Sequence, residues 1–264
     1  MHDGTGIFDA HLHIVDPRFP LVPNNGFVPE PFTCQDYRTA VRSLGVGGGV
    51  VVSGSFQAFD QTYLLDALAT LGPSFVGVTQ LPADCADETI TTLDRAGVRA
   101  VRFNLRRGGS AGLSDIDGLS RRVFAVAGWH SEFYLDNADL EDLYPVLVRL
   151  PKISIDHLGR TRDGFDVLLR LVDDGALVKA TGFGRGDLDI PNVISRIHSV
   201  NPAALMFGTD LPSTRAPRPF SAADIDLVRE TLGHDEAAKV LHDNAVALYW
   251  GDDTPGDRID SRRN

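Results

Sequence analysis

One feature limits this chain more than any other. Short apolar, β-branched runs alternate with segments of helical period from one end to the other. The runs fall at Ile7–His11, Gly49–Ser53, Phe75–Gln80, Arg99–Phe103, Ser131–Leu135, Lys152–Asp156, Leu177–Thr181 and Ala204–Gly208. Val50-Val51-Val52 is apolar on both faces, as strands covered by helices on one side and a core on the other are. The helical segments lie at Cys34–Leu44, Tyr63–Leu71, Ala86–Ala96, Gly118–Ala127, Leu140–Leu150, Phe165–Asp173, Ile190–Val200 and Ala222–Leu232. Strand followed by helix, repeated in this number, predicts an α/β fold, a (β/α)8 TIM barrel. A last helix, Asp235–Tyr249, carries Ala238, Leu241, Ala245 and Leu248 at helical spacing and is expected to pack on the barrel. No break in composition marks a domain boundary. Residues 1–250 therefore read as one domain, and 251–264 as a polar, mobile tail.

The 264 residues are enough for one such barrel, and the net charge of −11 narrows its partners. Nucleic acid and anionic membrane are disfavoured, because no basic face is evident to meet them. No apolar run has the length needed to span a bilayer. Met1-His2-Asp3-Gly4 lacks the basic and apolar regions of a secretory signal. Cys34 and Cys85 form no C-x-x-C pattern and read as free thiols in a reducing, cytoplasmic setting. The oligomeric state is not legible, since no exposed apolar stripe stands out. The long connection Ile14–Phe32, with Pro17, Pro20, Pro23, Pro29 and Pro31, reads as a lid or a stiff covering loop.

In this fold catalytic groups sit at the C-terminal ends of the strands. The first strand ends in His11 and His13, whose i, i+2 spacing puts both on one face. The fourth ends in Arg102-Phe103-Asn104, with Arg106 and Arg107 beyond it. The fifth ends near Tyr134, the sixth in Asp156-His157-Leu158-Gly159-Arg160. The seventh offers Lys179 and, past its end, Arg185. The eighth ends in Gly208-Thr209-Asp210. Lysine occurs only at 152, 179 and 239, so arginine at any basic site is weak evidence by itself. Its place at a strand end weighs more, because a guanidinium is costly to desolvate unless it meets a carboxylate or another acceptor.

These strand ends resemble the amidohydrolase superfamily, in its branch of 2-pyrone-4,6-dicarboxylate lactonases and related sugar-lactone hydrolases. The matching stretches are Phe8–His13, Gly97–Asn104, Gly128–Tyr134, Ile155–Arg160, Lys179-Ala180-Thr181, Phe207–Pro212 and Asn244–Trp250, in family order over nearly the whole chain. The resemblance implies that Asp210 is the general base for an attacking water. It implies that His157 polarises the substrate carbonyl, with His11 and His13 holding that oxygen or a metal. It places Arg102, Arg160 and Arg185 where the lactonases clamp substrate carboxylates. One of Arg106 and Arg107 falls at another such position, and Arg106 and Tyr134 are carried as substrate-facing residues. The implied activity is hydrolysis of a small anionic lactone.

Two departures bear on this. Metal-using relatives place a histidine, lysine or glutamate on the middle strands, whereas the fifth strand here offers Tyr134, a poor zinc ligand. A cofactor is therefore not expected to be required. A single divalent ion such as zinc, if bound, would sit on His11, His13, His157 and Asp210. After Asp210 the chain reads Leu211-Pro212-Ser213, in place of the family's usual tryptophan, proline and histidine, and the following Thr214-Arg215-Ala216-Pro217-Arg218-Pro219 is basic and Pro-rich, which leaves the identity of the lactone open. Two other readings compete. A zinc-dependent decarboxylase or other metal-dependent hydrolase would use the same histidines and aspartate. A binder of an anionic metabolite would have no use for a water-activating carboxylate beside its anion.

Overall fold

The computed structural model describes residues 6–251. The tail expected to be mobile lies, apart from Gly251, outside the described residues, as do Met1-His2-Asp3-Gly4. The strands are β1 (Ile7–Leu12), β2 (Val46–Val52), β3 (Phe75–Thr79), β4 (Val98–Asn104), β5 (His130–Tyr134), β6 (Ile153–Ile155), β7 (Leu177–Ala180) and β8 (Leu205–Phe207). They pair in parallel in chain order. The circle closes just past the strand ends: the Asp210 N–H donates to His11 O at 2.7 Å, and the His13 N–H to Leu211 O at 2.8 Å. The predicted TIM barrel is the fold.

Around it lie α1 (Cys34–Val41), α2 (Thr62–Leu71), α3 (Asp87–Arg95), α4 (Ile116–Ala127), α5 (Leu140–Leu147), α6 (Phe165–Asp173), α7 (Ile190–Val200) and α8 (Ala223–Leu232). Local chemistry sets their ends. Thr33 caps α1 in a reciprocal pair with Asp36, and Gly128 ends α4 at φ +71°, a conformation glycine enters without a Cβ penalty. Outward strand residues such as Val101, Phe133 and Val178 join helix residues such as Leu119, Leu168 and Ile194 in one continuous apolar layer. Truncating one of these, Leu168 for example, costs about 2–5 kcal/mol. No helix among the described residues is long and apolar enough to cross a membrane.

The C-terminal helix departs from its expected phase. It runs as α9 (His234–Ala238), a π-helical stretch Lys239–Asp243, and α10 (Asn244–Trp250). The wider turn shifts the buried stripe from Ala238 to Ala237 and Val240 ahead of Leu241 and Ala245. It then delivers Tyr249 and Trp250 into the barrel, against Phe8, Val50, Val76 and Met206.

The barrel interior has two halves. β1 to β4 and β8 contribute Phe8, Ala10, Val50, Val52, Val76, Val78, Ala100 and Met206. β5 to β7 contribute His130, Glu132, Ser154 and Lys179, all buried. Lys179 Nζ donates to Glu132 Oε2 at 2.6 Å, and the Tyr249 hydroxyl donates to the other oxygen of that carboxylate. This ionic cluster is the floor on which the site stands.

Candidate active site

The site begins with how β1 delivers its histidines. The β1–β2 register slips between Asp9 and Leu12. Asp9 faces the helical layer, where its carboxylate accepts from the Thr209 N–H at 2.8 Å, the Thr209 hydroxyl at 2.7 Å and the Tyr37 hydroxyl at 3.0 Å. His11 and His13 face the barrel instead, with their Nε2 atoms 3.3 Å apart. Gly208 lets β8 lie this close, since a Cβ there would stand 2.6 Å from the His11 nitrogen.

His157 arrives by a strained route. After β6 the backbone stays left-handed through His157 (φ +55°), Leu158 (+57°), Gly159 (+68°) and Arg160 (+67°). Each non-glycine residue held there costs about 1–2 kcal/mol. Asn137 holds the turn by donating to Leu158 O at 3.2 Å and Thr161 O at 2.8 Å. Gly159 is obligatory, because a Cβ would meet Asn137 Oδ1 at 1.6 Å. Asp210, at φ +59°, is held in the same region by its hydrogen bond to His11 O. Such strain is characteristic of functional positions.

The ring nitrogens can be assigned from their partners. His13 Nδ1 lies 2.7 Å from Val52 O, so it carries the proton and Nε2 the lone pair. His11 Nδ1 lies 3.4 Å from Asp156 Oδ1. Burial pushes Asp156 up, but Arg102 and Lys179 outweigh it and hold the carboxyl below its usual range. Neither atom makes a hydrogen bond at that distance, but the charge of an ionised Asp156 favours Nδ1–H on His11 and leaves Nε2 the lone pair. Asp210 Oδ1 stands 4.0 Å from His11 Nε2 and 3.8 Å from His13 Nε2, with no hydrogen-bond partner of its own. Three acceptors thus converge on one point. Burial, followed by nearby cations, keeps the rings neutral: Lys179 acts on His11, Arg185 on His157, and Arg102 on His13, which falls to about 3. Burial raises the Asp210 carboxyl, with Arg185 opposing.

Three converging acceptors suit either a water, which donates two hydrogens, or a cation. One ligand atom each from His11, His157 and Asp210 lies within 4.8 Å of the others, and imidazole with carboxylate is the donor set of a divalent ion. The residues present fit such an ion. A second set, His11, Glu132 and Asp156, has its glutamate already bound to Lys179.

The arginines are mostly spoken for. Arg102 puts two hydrogen bonds on Asp156, at 2.9 and 2.8 Å. Arg185 Nε lies 2.5 Å from Asp210 Oδ2. Arg160 pairs with Asp136 at 2.8 Å and stands behind Tyr134, its guanidinium carbon 5.6 Å from the ring centroid. Contrary to expectation, Arg106 also turns to Asp136, at 3.3 Å, while its neighbour Arg107 lines the cavity. That cavity opens to solvent above the histidines. His13, His157, Arg102, Arg107, Arg185 and Arg215 form its polar lining with Asn104, and Phe27, Phe56 and Tyr134 its aromatic one.

β5 also corrects the sequence reading. It turns Glu132 into the barrel as well as Tyr134, so the acidic side chain thought missing from the middle strands is present, two residues earlier on the same face. The alternation His130-Ser131-Glu132-Phe133-Tyr134 carried that signal. Asn137 and Asp9 had no comparable signal, since their partners are distant in sequence.

The amidohydrolase family model matches residues 8–250, almost all of the described barrel. The chain belongs to the amidohydrolase family. Among its relatives, the 2-pyrone-4,6-dicarboxylate hydrolase of Comamonas testosteroni is 25% identical, over 93% of this chain and 90% of that one. The 4-sulfomuconolactone hydrolase of Rhizobium radiobacter is likewise 25% identical, over 92% and 90%. The crystal structure of an Acinetobacter baumannii protein with citric acid bound superposes with a TM-score of 0.80 at 20% identity, covering 92% of this chain and 99% of that one. At that identity the likeness concerns the fold alone.

Proposed function

We propose that this amidohydrolase opens a small carboxylated lactone by attack of water on the ring ester. One observation carries the reading: the buried Asp210 Oδ1 has no hydrogen-bond partner and faces the two imidazole lone pairs. A water donating to Asp210 and to one imidazole would lie against the carbonyl of a ring seated in the cavity. Asp210 takes its proton as the nucleophile attacks. Thr181 Oγ1 stands 2.7 Å from His157 Nδ1. With the threonine hydroxyl donating, His157 presents Nε2–H to the developing oxyanion. The proton held by Asp210 passes to the ring oxygen as the ester bond breaks, and the product leaves as an acid bearing a hydroxyl or its keto tautomer. Beyond the N–H groups used on Asp156 and Ser53 O, Arg102 keeps two, and beyond those used on Asp210 and Thr214 O, Arg185 keeps three; with Tyr134 they meet the substrate carboxylate. Arg160 acts through Tyr134. Two relatives named for hydrolysing a pyrone dicarboxylate and a sulfomuconolactone support the substrate class.

A divalent ion, if bound, would be held by His11, His157 and Asp210 and would polarise the carbonyl. We propose that it is not required, because Arg185 already places a cation on the Asp210 carboxylate. The ligand spacing favours the metal-dependent alternative, including decarboxylation, so the two are tested together. A panel of carboxylated and neutral lactones is assayed with untreated and chelator-dialysed protein. Turnover of carboxylated lactones in both samples is the expected result. Activity abolished by the chelator and restored by zinc would favour the alternative. The buried, free Cys34 and Cys85 support the cytoplasm as its setting.

A further inference from the structure

The charges at the mouth of the cavity are not balanced. Of the four arginines lining it, Arg102 and Arg185 are neutralised by Asp156 and Asp210. Arg107 and Arg215 form no ion pair with a carboxylate among the described residues, although the charge of Arg107 is felt at Asp136. The Arg107 side chain makes no hydrogen bond there, and its backbone alone is engaged, by Asn104 and Asn24. Arg215 is fixed in place by neutral groups. Its Nη1 donates to Asn24 Oδ1 at 3.0 Å and its Nη2 to Asn24 O at 2.7 Å, and its guanidinium carbon stands 4.0 Å from the centroid of the Phe27 ring. Three N–H groups of the five on a guanidinium remain after those two bonds.

The backbone is set for this placement at some cost. Arg215 has φ +59° and Ser213 has φ +61°, within five residues of Asp210 at φ +59°. Arg185 Nη2 donates to Thr214 O at 3.0 Å, tying the loop back to the catalytic carboxylate. Burial, and then the charge of Arg107, hold the Arg215 guanidinium below its ordinary value. A residue needed only to latch the Phe27 loop to the loop after β8 could be neutral. A cation facing a second cation, with no carboxylate in the cavity lining between them, makes sense when an anion arrives there.

We infer that Arg215 is a specificity-determining residue, which with Arg107 receives a second anionic group of a planar ring substrate at the outer end of the cavity, away from Asp210. The inference builds on the lactone-hydrolase reading and adds the residue that meets the second anion of such a substrate. It assigns recognition of the outer anion to the loop after Asp210.

Binding tests it without turnover. Isophthalate, a planar ring with two carboxylates, and benzoate, with one, are titrated into the full chain by calorimetry. The wild type, Arg215→Met, and Arg218→Gln are compared; Arg218 is on the same loop but pairs with Asp224 outside the cavity. Methionine keeps an apolar stem against Phe27. Arg215→Met is expected to weaken isophthalate by about 10- to 100-fold, as loss of a charge-assisted contact does, and benzoate by no more than about twofold. Arg218→Gln should change neither. Equal losses for the two acids, or no loss for isophthalate, would overturn the assignment. Hydrolysis of lactones by a protein whose isophthalate affinity ignores Arg215 leaves the lactonase reading standing and removes this one. An Arg215-dependent preference for isophthalate in a protein that opens no lactone does the reverse.

Discussion

Replacing Asp210 by asparagine separates its two conceivable jobs, taking a proton and orienting a histidine. The structure already weighs against the second. Asp210 Oδ1 is 4.0 and 3.8 Å from the imidazole Nε2 atoms, too far for a hydrogen bond, and Val52 O holds the His13 ring from its other side. Asparagine keeps an oxygen for Arg185 Nε and turns its amide N–H groups toward the two lone pairs, so local packing survives. What it loses is basicity. General-base assistance is worth about 10²–10⁴-fold, or about 3–5 kcal/mol of barrier. The expected result for Asp210→Asn is therefore a fall in kcat of that size, with binding of isophthalate within about threefold of wild type. The assay is loss of the ring chromophore of a carboxylated pyrone at saturating substrate across a pH series. The wild-type acid limb, where activity rises as a carboxylate ionises, should vanish in the variant. A kcat reduced by less than about tenfold, with that limb intact, would refute the assignment and return Asp210 to a structural role.

Three further outcomes follow from the same geometry. Burial raises the Asp210 carboxyl and Arg185 opposes it, so Arg185→Met should move the acid limb of kcat/KM to higher pH; the base must be ionised to act, and an unmoved limb means another group is titrating. Asp9→Ala removes the acceptor for the Thr209 hydroxyl, the Thr209 N–H and the Tyr37 hydroxyl where β1 meets β8, and each buried donor left alone costs about 1–3 kcal/mol, so a denaturant titration should show a loss of at least about 3 kcal/mol. Dialysis against a chelator should leave lactone hydrolysis within about twofold of the untreated protein, with elemental analysis showing less than stoichiometric metal; abolished activity together with bound zinc contradicts this.

What was legible in the sequence was whatever repeats locally. Strand and helix alternate over short distances, so periodicity alone placed the barrel and put His11, His13, His157 and Asp210 at one rim, where they meet. The C-terminal helix shows the limit of that method. A single π-helical turn at Lys239–Asp243 changed which residues are buried, and nothing in a 3.6-residue period announces it. The left-handed turn that aims His157 is similar: Gly159 hinted at it, but its clamp, Asn137, sits in the preceding connection.

The arginines show why charge resists reading from sequence. Arg102, Arg160 and Arg185 carried the stronger family resemblance, and each already has an acid from a nearby strand end. Those acids, Asp156, Asp136 and Asp210, also lie at strand ends, so the sequence contained both halves of every pair but not the pairing. A guanidinium is worth most to a substrate where the protein has left it without a carboxylate, because there the incoming anion competes with no internal one. Arg215 meets that condition by standing on Phe27 and Asn24, two neutral partners nearly two hundred residues away in the chain. No local pattern could have separated it from Arg218, three residues on, whose charge Asp224 takes up. Specificity here resides in which cations the fold declines to neutralise, and only the folded chain shows that.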